Sequence, residues 1–230
     1  ILPFYRGDQP EHLNAAIQSL VDQSLRAEEI VLIQDGPVPA KLSDLVAKWQ
    51  SEYPEIKIVV LEENQGLSQA LNAGIKAARH EWLARMDADD ICHPARLKTQ
   101  IDFIKEHKDA ILVSTFETFI TPNNYIIHEK LPKWDYTELT QRDFVGKSYY
   151  TDASMIFRKD IAIECELYDE RFEKDTSLWY KLLARGKGYI INSQTYFYRI
   201  HNSNMTTNKI DLNIEELEKW LSKNSNKNQF

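Results

Sequence analysis

Three carboxylates crowd into four residues at Asp87-Ala88-Asp89-Asp90, directly after the apolar run Trp82-Leu83-Ala84-Arg85-Met86. Asp87 and Asp89 stand two apart, so on an extended chain they project to the same face. Two carboxylates on one face suit a hard divalent cation such as Mg2+ or Mn2+, bound through oxygen with positions left open for water or a substrate's phosphates. A second reading makes them helix-capping acids ahead of the helix that Pro94 opens, each contributing roughly 0.3–1 kcal/mol at its positive end. One acid does that work, and three add self-repulsion. Asp90 competes with Asp87 as the partner of Asp89.

Other chemistry-bearing residues follow apolar runs in the same way. Asp35 comes after Ile30-Val31-Leu32-Ile33, and Glu62-Glu63-Asn64 come after Ile56–Leu61. Asn64 with Gly66, and Asn72 with Gly74, frame a helix entered through a turn, with Gly74 allowing close packing on a sheet. No Gly-x-x-x-x-Gly-Lys and no Gly-x-Gly-x-x-Gly occurs, so a bound phosphate must be held mainly through a cation. Glu173-Lys174-Asp175 precedes a helical stretch. Asp175 either caps that helix or acts as a general base, ionised beside Lys174 and able to take a hydroxyl proton. Arg199 and His201 close the last strand-like run, and a His there is a structural residue or a metal ligand.

These residues need elements to hold them. Leu13, Ile17, Leu20 and Val21 mark one face of a helix, with Asp8 and Pro10 as its start signals. Apolar runs at 30–33, 56–61 and 82–86 read as buried strands. Helical spacing returns at Leu42–Trp49, Leu67–Ala78 and Leu97–Ile104. Strand and helix therefore alternate to about residue 108, which predicts an α/β fold with a mostly parallel, Rossmann-like sheet flanked by helices. In such a sheet ligands bind beyond the carboxyl ends of the strands. Asp35, Glu62, Glu63 and the Asp87–Asp90 cluster then share one edge.

After residue 108 the rhythm changes. A hairpin is predicted around Pro122-Asn123-Asn124, with strands at 153–157 and 188–198 and helices at 176–184 and 210–221. Residues 1–108 and 109–230 are expected as two halves of one globule, the second smaller in sheet and antiparallel.

The chain has 230 residues, 43% apolar and 27% charged, with a net charge of −7. That balance supplies a large core and disfavours nucleic acid or an anionic bilayer as partner. Cys92 and Cys165 lack metal-ligand spacing and read as reduced, structural thiols in a cytoplasmic setting. No secretory signal is visible at the Ile1 start.

Together the segments "LPFY" (2–5), "IVLIQDG" (30–36), "ENQGLSQALNAGI" (63–75), "RMDADDICHPARLKTQ" (85–100), "FEKDTSLWYKLL" (172–183) and "YRIH" (198–201) resemble the GT-A-fold nucleotide-sugar glycosyltransferases of family 2, the inverting group. Six weak pieces in the right order and spacing are specific. The resemblance implies a UDP-sugar or other nucleotide-sugar donor, Mn2+ or Mg2+, and a glycan or lipid-linked saccharide acceptor. It implies that Pro3, Tyr5, Asp35, Asn64, Gly66, Asn72, Arg85, Asp87 and Ala88 bind the nucleotide sugar, and that Asp89 and His201 hold the metal. Asp175 would be the catalytic base, with Asp90, Arg199 and Trp179 as additional candidates. Relatives that work on lipid-linked acceptors make transient peripheral contact with the inner face of the cytoplasmic membrane an expectation; Lys130, Lys133, Trp134 and Lys147 could serve it, although a solvated face is the favoured reading of those residues.

Three departures stand out: Arg6 where Asn is usual, Leu71 where Arg is usual, and Lys174 before the base where Glu is usual. Rival readings are weaker. An aspartyl phosphohydrolase lacks its later Lys and paired acids. A retaining transferase would share fold and metal. A glycosidase needs two carboxylates facing across a sugar. A non-catalytic nucleotide-sugar-binding module is the alternative outside catalysis.

Overall fold

In the computed structural model, residues 1–127, 135–140, 152–169 and 176–201 are described. The strands run in chain order as β1 (Leu2–Tyr5), β2 (Ile30–Asp35), β3 (Ile56–Val60), β4 (Trp82–Ala84), β5 (Ile91–Cys92), β6 (Ala110–Ile120), β7 (Ile126–Ile127), β8 (Tyr136–Leu139), β9 (Ile156–Arg158) and β10 (Lys187–Arg199). The helices are α1 (Pro10–Val21), α2 (Ala40–Glu52), α3 (Leu67–Ala77), α4 (Arg96–Glu106), α5 (Lys159–Glu164) and α6 (Thr176–Leu182).

The first half is a parallel βαβ series because its strands are short apolar runs and its helices carry one apolar stripe. β1 pairs with β2 and β2 with β3, all parallel. Pro10 opens α1, where its missing N–H costs nothing, and Leu13, Ala16, Ile17 and Leu20 turn inward. Gly74 lets α3 lie directly on β2: a Cβ there would stand 2.7 Å from Ile33 Cδ1. This meets the close-packing expectation for that glycine.

A second sheet, β4-β9-β6-β10-β5, carries β7 beside β6 and β8 beside β10. Ile1 stitches the two sheets. Its nitrogen donates to Ala84 O at 2.7 Å, and Met86 N donates to Ile1 O at 3.0 Å. On the other flank Arg85 N donates to Met155 O at 2.9 Å. The strand reaching the acidic turn is therefore held from both sides.

Pairing is parallel among β1–β3 and between β6 and β10, and antiparallel where β5, β7, β8 and β9 join. The hairpin at 122–124 is present, with Ile120 opposite Ile126. β6 runs well past the expected Val113, because its polar residues are paired inside. Ser114 Oγ and Ser154 Oγ share a bond of 2.6 Å, and Thr195 Oγ1 donates to Thr115 Oγ1 at 2.9 Å. β5, β8 and α5 are too short for periodicity to reveal. The expected 210–221 helix lies outside the described residues. Both cysteines are free and buried. Among the described residues no helix is long and apolar enough to cross a membrane.

Candidate active site

β4 runs antiparallel to β9, β9 antiparallel to β6, and β6 parallel to β10, so β4 and β10 point the same way. The ends of β1, β2, β4 and β10 consequently meet at one edge. They bring Asp8, Asp35, the Asp87–Asp90 turn, Arg199 and His201 to it, as the strand-end rule requires.

The three acids of the turn have different surroundings. Asp90 is fully buried. Tyr196 OH donates to its Oδ2 at 2.6 Å and Arg199 N to its Oδ1 at 2.7 Å. Burial, then the charges of Asp89 and Asp87, push its pKa well above the usual carboxylate range. Asp90 is thus an internal anchor, which corrects its candidacy as the helper of Asp89. Asp87 and Asp89 keep 26% and 29% of their side chains exposed. Asp87 Oδ1 accepts from Arg85 Nη2 at 3.1 Å, and that arginine is itself buried.

Asp89 is held at both ends. Arg199 Nε donates to its carbonyl at 2.6 Å, and its Oδ2 lies 2.8 Å from His201 Nε2. Arg199 also donates to Pro122 O at 2.8 Å and to Asn124 Oδ1 at 2.6 Å, so its task is to brace the turn against the β6–β7 corner. Adjacent ligands of an octahedral cation with bonds of about 2.1 Å sit about 3 Å apart. The Asp89–His201 separation fits that bite and equally fits a hydrogen bond. Among the described residues no group of three His, Cys, Asp or Glu stands at ligand spacing. A cation on this pair must complete its shell with water or substrate oxygens, the habit of Mg2+ on phosphates.

Two site residues escaped the sequence reading. Asp8 does not cap α1, whose N-cap is Gln9. Its Oδ2 accepts from Tyr5 N at 2.8 Å. Burial raises its pKa to about 7; the Tyr5 bond opposes the rise, and the charges of Asp89 and Asp87 add to it. His12 brings its ring to 5.8 Å from that of His201. Burial, reinforced by Arg199 and His201, lowers its pKa to about 4. The available signal was an Asp and a His four residues apart just past a strand end.

Asp35 organises the next loop. Its carboxylate accepts from Asn64 Nδ2 at 2.9 Å, Gln65 N at 2.7 Å and Gly66 N at 3.0 Å. Gly66 has φ +87°, a conformation that favours glycine, and α3 starts from it. Asn64 and Gly66 thus lie against Asp35. Pro3 is buried in β1, Ala88 is nearly buried, and Tyr5 is 46% exposed beside Gly7.

Two further expectations are corrected. Asn72 donates to Tyr168 O at 3.0 Å and accepts from Tyr168 N at 2.9 Å, so its amide ties α3 to a buried loop. Trp179 is fully buried against Phe157 and Tyr168, in the core. Asp175, Lys130, Lys133, Trp134 and Lys147 lie outside the described residues.

The architecture is the GT-A fold: parallel strands between helices, ending on a carboxylate-lined edge, with an antiparallel flank. Residues 1–165 match the model of the family described as Glycosyl transferase family 2. The chain is 32% identical over 188 residues to the amylovoran biosynthesis glycosyltransferase AmsE of Erwinia amylovora, covering 81% of this chain and 69% of that protein. It is 30% identical over 189 residues to an Escherichia coli UDP-Gal:alpha-D-GlcNAc-diphosphoundecaprenol beta-1,3-galactosyltransferase, covering 81% and 67%. The crystal structure of S. aureus TarS 1-349 in complex with UDP-GlcNAc superposes with a TM-score of 0.72 at 19% identity, covering 88% of this chain and 58% of that one. At that identity the likeness concerns the fold. This chain belongs to glycosyl transferase family 2.

Proposed function

We propose that the chain is a metal-dependent, inverting hexosyltransferase. It moves a sugar from a nucleotide-diphosphate sugar, a UDP-sugar in the first instance, to a hydroxyl of a glycan or lipid-linked saccharide. The single observation that carries the reading is the Asp89–His201 pair at 2.8 Å, beside Asp87 at the strand-end edge. The E. coli relative, named for UDP-Gal and a diphosphoundecaprenol-linked sugar, supports both substrate classes.

Asp89 and His201 would hold Mn2+ or Mg2+, which when bound supplies positive charge to the departing diphosphate. Asp87, steadied by Arg85, faces the donor from the same turn. Pro3, Tyr5 and the Asp35–Asn64–Gly66 loop form the nucleoside side. Asp175, carried over from the family motif, takes the proton of the acceptor hydroxyl. That oxygen then bonds to the anomeric carbon as the bond to diphosphate breaks, and one displacement inverts the configuration. The setting is cytoplasmic, with the acceptor's lipid at the inner face of the membrane.

A panel of UDP-, GDP- and dTDP-sugars with Mn2+, scored by thermal shift and by hydrolysis, tests the reading. A shift and slow hydrolysis with one or more UDP-sugars are expected. No shift and no hydrolysis with any member would overturn it.

A further inference from the structure

We propose that Tyr196 is a positioning residue of this site: its hydroxyl fixes the Asp87–Asp90 turn and so holds Asp87 and Asp89 at the strand-end edge. The proposal rests on the donor chemistry above only for its kinetic readout.

One oxygen grips the turn at two points. Tyr196 OH donates to Asp90 Oδ2 at 2.6 Å and accepts from Asp87 N at 3.3 Å, spanning Ala88 and Asp89. The ring cannot drift. Arg96 lies over it at 5.1 Å from the ring centre, a cation–π contact deep in the core. Arg96 in turn donates to Arg85 O at 2.8 Å and to Ala153 O at 2.9 Å, and its Nη1 lies 3.0 Å from Cys92 Sγ. Backbone pairing adds a further tie, with Tyr196 opposite Cys92 in the β10–β5 ladder. The turn therefore enters at Arg85 and leaves at Cys92 with both ends fastened to one buried package. Arg199 secures the Asp89–Asp90 side, and Tyr196 reaches across to Asp87. Tyr196 is fully buried, so it acts through these acids and touches no substrate.

Tyr196→Phe removes only the oxygen and keeps the ring. Tyr189→Phe is the matched control. It lies on the same strand, also donates to a carboxylate (Asp109 Oδ2, 3.1 Å), and sits at the far end of β10. Two quantities are read: amide hydrogen exchange of the 85–92 segment in the metal-free protein, and the Mn2+ concentration giving half-maximal donor hydrolysis. Tyr196→Phe should speed exchange in that segment and raise the half-saturating Mn2+ by about tenfold, the effect of roughly one hydrogen bond. The maximal rate at saturating Mn2+ should change little, and Tyr189→Phe should change neither quantity. Unchanged exchange, or unchanged Mn2+ dependence beside a mere loss of melting temperature, would make Tyr196 an ordinary core residue and overturn the proposal. If the wild-type protein hydrolyses no donor, the functional reading fails separately, and exchange alone decides the role of Tyr196.

Discussion

His201 Nε2 stands 2.8 Å from Asp89 Oδ2 across 112 positions of sequence, joining the end of β10 to the turn after β4. Each residue comes from a different half of the chain, yet both belong to the second sheet, so the pair exists only once β4, β5 and β10 are assembled in it. Ile1, from the first sheet, and Met155, beside β9, hold the strand leading to the turn from either side.

The two acids flanking Asp89 should separate cleanly on mutation. Asp87→Asn should keep the fold and raise the Mn2+ concentration giving half-maximal donor hydrolysis, because it removes the charge of a part-exposed carboxylate beside Asp89. Asp90→Ala leaves the Tyr196 hydroxyl and the Arg199 N–H without their acceptor. It should cost about 1–3 kcal/mol of stability for each orphaned donor, read by chemical denaturation. Equal stability of Asp90→Ala and the wild type would contradict the anchoring role.

Asp8 predicts a pH dependence of stability. Its folded pKa is raised from an ordinary 3.8 to about 7. Between those values the folded chain holds a proton that the unfolded chain has lost, so this group's contribution to stability falls as pH rises through the window. Asp8→Asn keeps an oxygen for the Tyr5 N–H and removes the charge. In chelator, the variant should match the wild type near pH 4 and melt progressively higher above it, levelling off beyond pH 7. His12, lowered to about 4, has the opposite slope below its ordinary 6.5, but it is common to both proteins and cancels in the difference. A difference in melting temperature that does not grow between pH 4 and 7 would rule out the raised pKa of Asp8.

Asp175→Asn should leave donor binding nearly intact and lower turnover by about 10²-fold or more, the size of a general-base contribution. Calorimetry with UDP and a turnover assay separate the two effects. Unchanged turnover would move the base to another residue.

Much of this site was legible because short parallel strands advertise themselves. Apolar runs at 30–33, 56–61 and 82–86 each stop at an acid, and parallel strands put those stops on one edge. The halves of the Asp89–His201 pair were each visible as residue types, and the family resemblance supplied their pairing. Asp8 and His12 were missed because an Asp and a Pro before an apolar stripe already had an explanation as helix-start signals. The structure spends that Asp on the Tyr5 N–H instead. Asn72 and Trp179 show the converse. Their residue types suit binding, but which way a helical residue faces depends on partners far away in sequence, here Tyr168 and Phe157. Asp90 belongs with them, since adjacency to Asp89 says nothing about a buried tyrosine hydroxyl contributed by β10.

The most direct measurement is transfer or donor hydrolysis in millimolar EDTA, followed by titration with Mn2+ or Mg2+, for the wild type and for Asp89→Asn. The expected result is loss of activity in chelator, full recovery with either cation in the wild type, and little recovery in Asp89→Asn. Full wild-type activity in chelator would contradict a cation held by Asp89 and His201.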